Sequence, residues 1–214
     1  AMDYDALYEK LGAGLPWAEQ IDLRRCLTAG DYYRTDTHWR QECLIPAATA
    51  ICDALEVTAP KAADYSEVQA DKPFYGVYYG QAALPMEPDT LTWLENETLR
   101  QCTVYDYETG KTGSVYDTAK LTESRDMYDV FLSGARALLT IENPNAKTDR
   151  ELLVFRDSFG SSLVPLLLSD YARVTLVDIR YVSSAKLDCF LDFRGQDVLF
   201  LYSTLVLNSS SSLK

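Results

Sequence analysis

Three side chains of the kinds that catalyse acyl transfer lie in two segments far apart in the sequence. Asp36 and His38 lie near the start of the chain, and Ser158 lies towards its end. A serine hydroxyl becomes a good nucleophile when a histidine takes its proton and a carboxylate fixes the tautomer of that histidine. His38 is the only histidine in the sequence, so any histidine-dependent catalysis must use it. We therefore predict a catalytic triad of Ser158, His38 and Asp36.

Both segments are also compatible with helix capping. An extended backbone points Asp36 and His38, two positions apart, to the same side, whereas Asp36 is equally suited to cap a helix that begins near Trp39. Ser158 follows the apolar run 152–155 and precedes a helix-like stretch. Open α/β sheets bind ligands at such positions, beside helix amides that stabilise an oxyanion, but the position is also typical of an N-cap serine. The sequence leaves both roles open for each segment.

Helices are predicted on both sides of the first motif, and strands are predicted further along. Residues 4–27 have a mostly helical pattern that is broken by glycine and proline, and a second helix is expected over 39–55, kinked or delayed by Pro46. Residues 73–118 are rich in Tyr, Thr, Val and Gly, which predicts a β-rich insertion. Within it, a glycine-containing turn separates two strand-like runs that predict a β-hairpin, 103–107 and 114–117.

The last third of the chain alternates short apolar runs with helix-like stretches. Such alternation predicts right-handed βαβ units and a parallel sheet. The predicted strands are 152–155, 174–178 and 198–202, and the predicted helices are 163–168 and 184–193. With 214 residues and 47% hydrophobic content, the chain is expected to form a single domain over 1–214. We predict an α/β fold with a mostly parallel sheet.

Composition limits the class of partner. Asp and Glu number 32 against 20 Lys and Arg, for a net charge of −12. The electrostatic field of this negative charge repels phosphate backbones and anionic lipids, so we expect no nucleic-acid partner. A neutral glycan is compatible with the charge. No run approaches the roughly 20 apolar residues that span a bilayer. No signal peptide is evident, and the start Ala1-Met2 looks like an artificial truncation, so the sequence carries no information on export.

Cysteine and metal chemistry are not favoured. The odd number of cysteines leaves at least one thiol free in a monomer, and we expect small core hydrophobes with one disulfide left open. A single histidine and the lack of a Cys-x-x-Cys motif argue against zinc, and we expect neither metal nor cofactor. A thiol enzyme using His38 is the least favoured hypothesis, because no cysteine lies between a strand and a helix. The cysteines are Cys26, Cys43, Cys52, Cys102 and Cys189.

The chain resembles the bacterial DHHW family in three ordered motifs: Tyr33-Arg-Thr-Asp-Thr-His-Trp39, Arg156-Asp-Ser-Phe-Gly-Ser-Ser162 and Val177-Asp-Ile-Arg-Tyr181. That family is named for an Asp-His-His-Trp motif and is related to the SGNH-like domains of alginate O-acetyltransferases. The resemblance extends from about Ile21 to Leu205. Thr37 replaces the first histidine of the motif, a position that also varies in the alginate enzymes, so the Asp-x-His core is retained.

The resemblance implies a flavodoxin-like, three-layer α/β/α fold of the SGNH type. It also implies an extracytoplasmic location, at the cell surface or secreted, often behind a signal or membrane anchor. In the alginate enzymes an Asp-x-His motif precedes a distant serine, as it does here. The Gly and Asn oxyanion donors of ordinary SGNH hydrolases have no clear counterpart. Ser133–Gly134 and the backbone amides of Ser158 and Phe159 are the candidates.

Candidate substrate contacts lie beside these motifs. Arg180 follows a strand-like run, so it is suited to bind a substrate oxygen or to pair with a neighbouring aspartate. Tyr33 and Trp39 flank the Asp-x-His core and are the other candidates, although Trp39 also suits packing of the following helix. The tyrosines within 75–79 either stack on sugar rings or pack in the sheet.

These observations predict an SGNH-like serine O-acetyltransferase or acetylesterase that acts on a cell-surface or secreted polysaccharide. Its partners would be the polysaccharide or an acetyl donor, and a membrane anchor on the full-length protein fits the resemblance. The alternative is a catalytically inactive carbohydrate-binding or scaffold domain of the cell envelope. An enzyme requires the Ser158 hydroxyl within hydrogen-bond reach of His38 Nε2 in an open cleft. A closed cleft, or a hydroxyl that caps the helix, would favour the alternative. The sequence specifies no oligomeric state.

Overall fold

The apolar runs of the last third of the chain form three adjacent strands on one side of a six-stranded sheet. The computed structural model describes residues 3–82, 85–209, 211 and 213. The helices are α1 (Tyr4–Gly14), α2 (Ile45–Ala54), α3 (Val77–Ala82), α4 (Glu97–Gln101), α5 (Lys120–Glu123), α6 (Gly160–Leu163) and α7 (Thr204–Asn208). The strands are β1 (Ser66–Gln69), β2 (Thr92–Glu95), β3 (Thr103–Asp106), β4 (Lys111–Gly113), β5 (Leu138–Glu142), β6 (Arg150–Arg156), β7 (Tyr171–Val177) and β8 (Asp197–Leu201). Short 3-10 helices occupy Ala29–Asp31, Gln41–Cys43, Ala62–Asp64, Met127–Val130, Val164–Leu167 and Ser184–Cys189.

The main sheet is mixed, so the prediction of a mostly parallel sheet is wrong. Its strand order is β4-β3-β5-β7-β6-β8, and only β7, β6 and β8 are parallel neighbours. β5 is antiparallel to β7, and the β3–β4 hairpin continues in antiparallel pairing. Parallel neighbours need a long crossover, which residues 157–170 and 178–196 supply. The short connections 107–110 and 143–149 instead reverse the chain, because they are too short to carry it back across the sheet.

The middle of the chain divides between two sheets. β2 pairs with β1 in a separate two-stranded antiparallel sheet, while the β3–β4 hairpin joins the edge of the main sheet. The predicted hairpin is confirmed, but its second strand is Lys111–Gly113 rather than 114–117. Tyr75 precedes the helix α3, and Tyr78 and Tyr79 lie within it, so none of the three belongs to a strand. Within the predicted insertion 73–118, residues 83 and 84 lie outside the described residues.

Glycine and proline decide where the predicted helices begin and end. α1 ends at Gly14 instead of continuing to residue 27, because Gly14 and Pro16 disfavour helix. The delayed start of the second helix is confirmed, with Pro46 in the first turn of α2. The stretch 184–193 is a 3-10 helix over Ser184–Cys189. Within the described part of the chain, no helix combines the length and hydrophobicity needed to cross a membrane.

Alternate residues of β6 face two different cores. Leu152 and Val154 belong to the larger core, while Leu153 and Phe155 belong to a smaller one on the opposite face of the sheet. Arg156 ends the strand fully buried. The chain then turns immediately into α6, so Ser158 lies at the carboxyl end of an interior strand, between β7 and β8.

Candidate active site

A tight loop presents the Asp-x-His motif. Tyr32 and Trp39 form an isolated antiparallel bridge, and the Tyr33 amide donates to the His38 carbonyl at 3.1 Å. The two ends of the loop that carries Asp36 and His38 are therefore paired side by side. Asp36 does not cap the helix that follows it in sequence. Instead, its Oδ1 accepts a hydrogen bond at 3.0 Å from the amide of Val77, the first residue of α3.

The loop brings the three predicted catalytic side chains into one hydrogen-bonded line. Asp36 Oδ2 lies 2.6 Å from His38 Nδ1, and His38 Nε2 lies 2.8 Å from Ser158 Oγ. Asp36 and His38 are buried, while Ser158 is half-buried. The order of contacts is carboxylate, imidazole, hydroxyl, which is the order that general-base activation of a serine requires.

The environment of Asp36 fixes the tautomer of the imidazole. Burial acts to raise the pKa of Asp36, but the hydrogen bond and charge of His38 and the amides of Val77 and Thr37 outweigh it, so the pKa lies below its ordinary value. Asp36 is therefore ionised at neutral pH and accepts the Nδ1 proton of His38. Neutral His38 then has a free lone pair on Nε2, directed at the Ser158 hydroxyl.

Ser158 does not act as a helix cap. The N-cap position of α6 is Phe159, with no side-chain cap bond, and the Ser158 hydroxyl points to His38 instead. Asp157 holds the turn: its Oδ1 accepts from the Phe159 amide at 3.0 Å, and its Oδ2 accepts from the Ser203 amide at 2.7 Å. The buried Asp157 carboxylate thus joins the turn that carries Ser158 to the segment that follows β8.

Aromatic rings hold the imidazole from two sides. The Tyr128 ring stacks on His38 with centroids 3.8 Å apart and planes 10° apart, and the Phe159 ring lies 4.9 Å away at a tilt of 50°. The Tyr128 hydroxyl donates to Ser162 Oγ at 2.8 Å, and Trp39 Nε1 donates to the same oxygen at 2.9 Å. These contacts fix the plane of the base. Sequence reasoning missed Tyr128, because nothing near it in the sequence indicates that it meets a residue 90 positions earlier.

A second missed residue, Gln41, joins this site to the middle of the chain. Its Nε2 donates to the Ser162 carbonyl at 2.6 Å, and its Oε1 accepts from the Leu94 amide at 2.7 Å and from the Tyr116 hydroxyl at 3.1 Å. The side chain is fully buried, with its acceptor and one donor used. A buried amide satisfied in this way rigidifies its surroundings.

Arg156 places a buried guanidinium against the turn that carries Ser158. Its Nη1 donates to the Asp157 carbonyl at 3.3 Å and to Ser161 Oγ at 3.1 Å. Among the described residues, its Nε and Nη2 have no partner. Burial lowers the pKa of the guanidinium, while the nearby carboxylates of Asp178 and Asp157 act against that change. Gly160 lies against this side chain, and a Cβ at that position would be 2.9 Å from Arg156 Cβ.

The predicted substrate contacts have structural roles in this arrangement. Arg180 forms a two-point ion pair with buried Asp178, at 2.9 Å and 2.6 Å, so the alternative prediction of pairing is the one observed. Tyr33 and Trp39 are 4% and 6% exposed and belong to the main core. Their assignment as substrate contacts does not fit this burial, because the loop that carries them turns both side chains inwards.

The oxyanion candidates differ in the hydrogen bonds that they already make. The Phe159 amide is taken by Asp157 Oδ1, and the Gly134 amide donates to the Phe131 carbonyl. Ser133 Oγ donates to Asp117 at 2.9 Å. The Ser158 amide, next to the hydroxyl, and the Ser133 amide donate to none of the described residues, which leaves both as available donors.

Thiol chemistry has no support at this site. All five cysteines are free, and none is the partner of His38 Nε2. Burial raises the pKa of Cys52 to about 12 and that of Cys102 to about 11, so both are neutral thiols. In the part of the chain that the structure describes, no cluster of three potential metal ligands is found.

Two cavities lie away from these residues. One cavity, of about 300 Å³, lies on the face of the sheet that carries the smaller core, between Thr140, Arg173 and Phe190. The other, of about 440 Å³, lies between Tyr65 and Pro165. Neither is lined by Asp36, His38 or Ser158. The hydrogen-bonded line therefore opens to solvent at the half-buried Ser158 rather than into either of these cavities.

Three solved structures are similar to this chain to different degrees. A DHHW family protein from Eubacterium siraeum DSM 15702 is 25% identical, with a TM-score of 0.61 over 82% of this chain. Bacillus cereus PatB1 with a sulfonyl adduct is 19% identical, with a TM-score of 0.65 over 86% of this chain. The O-acetyltransferase domain of Pseudomonas putida AlgJ is 16% identical, with a TM-score of 0.46 over 94% of this chain.

The chain spans only part of each of these proteins, covering 60%, 66% and 65% of their respective lengths. No curated protein shows significant similarity to the sequence. The sequence does match the DHHW protein family over residues 18–177, a span that holds the Asp-x-His loop, Tyr128 and Ser158. The chain belongs to the DHHW protein family.

Proposed function

We propose that the protein is a serine O-acetyltransferase or acetylesterase with Ser158 as nucleophile, His38 as general base and acid, and Asp36 as the group that orients His38. The observation that carries the proposal is the line of two hydrogen bonds, 2.6 Å and 2.8 Å long, that joins the three side chains. A residue that served only as a helix cap would direct its hydroxyl at the helix amides instead.

The geometry supports a two-step acyl transfer. In the first step Ser158 Oγ attacks the carbonyl carbon of an acetyl ester while its proton moves to His38 Nε2. The tetrahedral intermediate collapses, the bond to the leaving oxygen breaks, and His38 returns the proton to that oxygen. Acetyl-Ser158 remains. The free amide of Ser158 is suited to hold the negative oxygen during this step.

The second step determines whether the enzyme is an esterase or a transferase. A hydroxyl group gives its proton to His38 Nε2 and attacks the acetyl carbonyl, and the bond to Ser158 Oγ breaks as that oxygen takes the proton. Water as acceptor releases acetate, whereas a sugar hydroxyl yields an O-acetylated glycan. Throughout, ionised Asp36 stabilises the imidazolium that forms.

A polysaccharide acceptor and an extracytoplasmic location complete the proposal. The net charge of −12 disfavours polyanionic partners such as nucleic acid and leaves neutral glycans as a suitable class. The family resemblance of the three motifs supports a location at the cell surface or outside the cell, in an SGNH-type α/β fold.

Covalent labelling of Ser158 tests the proposal without knowledge of the substrate. A fluorophosphonate probe should modify Ser158, located by peptide mass spectrometry, and a sulfonyl fluoride is a second reagent suggested by the sulfonyl adduct in the PatB1 structure. Ser158→Ala should abolish labelling and His38→Ala should slow it by about 10³-fold or more. Ser183→Ala is the matched control, because Ser183 makes no side-chain cap bond at the start of its 3-10 helix.

Two results would overturn the assignment. Unchanged labelling of Ser158→Ala would place the nucleophile elsewhere, and full aryl acetate hydrolysis by that variant would do the same. An unreactive Ser158 in folded wild-type protein would favour the alternative, an inactive carbohydrate-binding or scaffold domain.

A further inference from the structure

Three exposed tyrosines form a patch next to the candidate active site. Tyr75, Tyr78 and Tyr79, here called the tyrosine patch, are 43%, 44% and 38% exposed. The rings of Tyr75 and Tyr79 are in contact, with centroids 4.5 Å apart and planes tilted by 49°. Single exposed aromatic residues are ordinary on a protein surface, but three within five positions, two of them in ring contact, concentrate apolar surface of the kind that marks a binding site.

The patch is fixed to the Asp36 loop through its backbone. The Gly76 amide donates to Thr35 Oγ1 at 3.0 Å, the Val77 amide donates to Asp36 Oδ1 at 3.0 Å, and the Tyr78 amide donates to the Thr35 carbonyl at 2.9 Å. The tyrosines therefore lie one or two positions from an amide that contacts the carboxylate of the hydrogen-bonded line. Their backbone has a fixed position relative to His38.

Gly76 makes this close approach possible. A Cβ at position 76 would lie 2.7 Å from the Cα of Asp36, a distance that side chains do not tolerate. The segment is thus packed against the loop more tightly than any residue other than glycine allows. Phe74, on the other side of Gly76, is fully buried and packs edge-on against Tyr33 at 5.0 Å. Buried Phe74 and Gly76 thus anchor the segment on either side of exposed Tyr75.

The chemistry of the patch favours a sugar ring as its ligand. A phenol offers a flat apolar face with a polar rim, which matches the C–H face and hydroxyl edge of a pyranose. Stacking on nucleobases also uses aromatic rings, but it is accompanied by a cationic groove that follows the phosphates. The net charge of −12 opposes that arrangement and opposes anionic glycans in the same way.

We propose that the tyrosine patch is the subsite that binds the sugar ring of a neutral polysaccharide next to the hydroxyl that receives or loses the acetyl group. The proposal rests on the function proposed above and adds the substrate class and the residues that select it. It also explains why three aromatic side chains are left in solvent on a segment that is otherwise firmly anchored.

Binding of unacetylated oligosaccharides tests the patch independently of turnover. Wild-type protein is titrated with cellohexaose, with chitohexaose and with anionic hexagalacturonate, and binding is followed by NMR. We expect a neutral hexaose to bind and the double variant Tyr75→Leu/Tyr79→Leu to bind it about tenfold or more weakly, a loss of about 1.4 kcal/mol. Tyr78→Ser, a single and milder change, is expected to weaken binding in the same direction.

The matched control uses a second exposed tyrosine pair. Tyr105 and Tyr107 are 40% and 39% exposed, and their ring centroids lie 4.9 Å apart. Tyr105 is in β3 and Tyr107 directly follows that strand, away from the Asp36 loop. The double variant Tyr105→Leu/Tyr107→Leu should bind the neutral hexaose like wild type. Equal binding by the two double variants would overturn the proposal, as would tighter binding of hexagalacturonate or no binding of either neutral hexaose at millimolar concentration.

This outcome is separate from that of the labelling experiment. If Ser158 reacts with the fluorophosphonate but the tyrosine variants bind sugar normally, the catalytic assignment stands and the subsite is wrong. If Ser158 is inert and the tyrosine variants lose sugar binding, the subsite stands in a protein without turnover. Thermal unfolding of each variant shows that it is folded before binding is compared.

Discussion

Replacement of Asp36 by asparagine is the sharpest test of the hydrogen-bonded line. The change is nearly isosteric, so it leaves the loop and its backbone bonds in place. An asparagine can still accept the Val77 amide through its oxygen, since that bond is 3.0 Å long in the wild type. Its NH₂ group then faces His38 Nδ1, where the carboxylate oxygen lies 2.6 Å away. A donor at that position requires Nδ1 to be the acceptor.

The expected loss of activity follows from this exchange of roles. With Nδ1 accepting, the proton of neutral His38 moves to Nε2, which can no longer take the proton of Ser158, 2.8 Å away. The imidazolium also loses its stabilising charge. A wrong tautomer of this kind lowers kcat by about 10⁴-fold, equivalent to about 5.4 kcal/mol in the barrier.

Two measurements make the result specific. The first is hydrolysis of an aryl acetate by wild type and by Asp36→Asn. The second is ¹⁵N NMR of the imidazole, which is unambiguous because His38 is the only histidine in the chain. We expect Nδ1–H in the wild type and Nε2–H in the variant.

The matched control is Asp89→Asn. Asp89 also fixes the loop, since its Oδ2 accepts from the Thr35 amide at 2.8 Å and from the Thr35 hydroxyl at 2.7 Å, but it makes no hydrogen bond to His38. The control should lower kcat by no more than about tenfold and keep the wild-type tautomer. If Asp36→Asn kept its activity within tenfold of wild type, or if both variants lost activity equally, orientation of His38 by Asp36 would be refuted.

Three further predictions concern the surroundings of the site. Tyr128→Leu should lower kcat for aryl acetate by about tenfold more than Tyr128→Phe, because phenylalanine keeps the ring that stacks on His38 at 3.8 Å; equal losses would assign the effect to the hydroxyl. Gly76→Ala should destabilise the fold by about 1–3 kcal/mol in urea unfolding, because the new methyl group collides with Asp36, while Gly80→Ala, with open space around it, should not destabilise it. Burial acts to raise the pKa of Asp36, but its hydrogen bonds outweigh that effect, so the pKa in the folded protein lies below its ordinary value. Ionised Asp36 therefore stabilises the fold above about pH 4. The advantage of wild type over Asp36→Asn in unfolding free energy should shrink as the pH falls from about 5 to about 2. A constant difference over that range would contradict this assignment of the pKa.

Residue type and spacing were enough to find the three residues of the line. His38 is alone in the sequence, Asp36 is two positions away, and Ser158 follows an apolar run that forms the interior strand β6. Each of these signals is local. The strand forms where the apolar run predicts it, whereas the Asp-x-His segment is a tight loop and the helix after Ser158 is the short α6. Pro46 likewise marks the start of α2 within one residue.

The remaining features depend on contacts that no local pattern encodes. Strand direction in the sheet follows from the lengths of connections, so an apolar run such as β5 does not reveal that it is antiparallel to β7. Tyr128 and Gln41 lie in segments with no catalytic pattern, and only the folded chain brings them to His38 and Ser162. Trp39 was assigned to substrate because it adjoins the motif, but adjacency in sequence does not show which way a side chain points.

The hydrogen bond between His38 and Ser158 joins residues 120 positions apart. In an unfolded chain, closing a loop of that length is entropically unfavourable, and Ser158 is an ordinary alcohol. A reagent that requires an activated serine therefore modifies only molecules in which the Asp-x-His loop has docked against the end of β6. If Ser158 is activated as proposed, the rate of labelling at a single serine measures the native fraction of the protein, and the same reagent becomes a gauge of folding for destabilised variants.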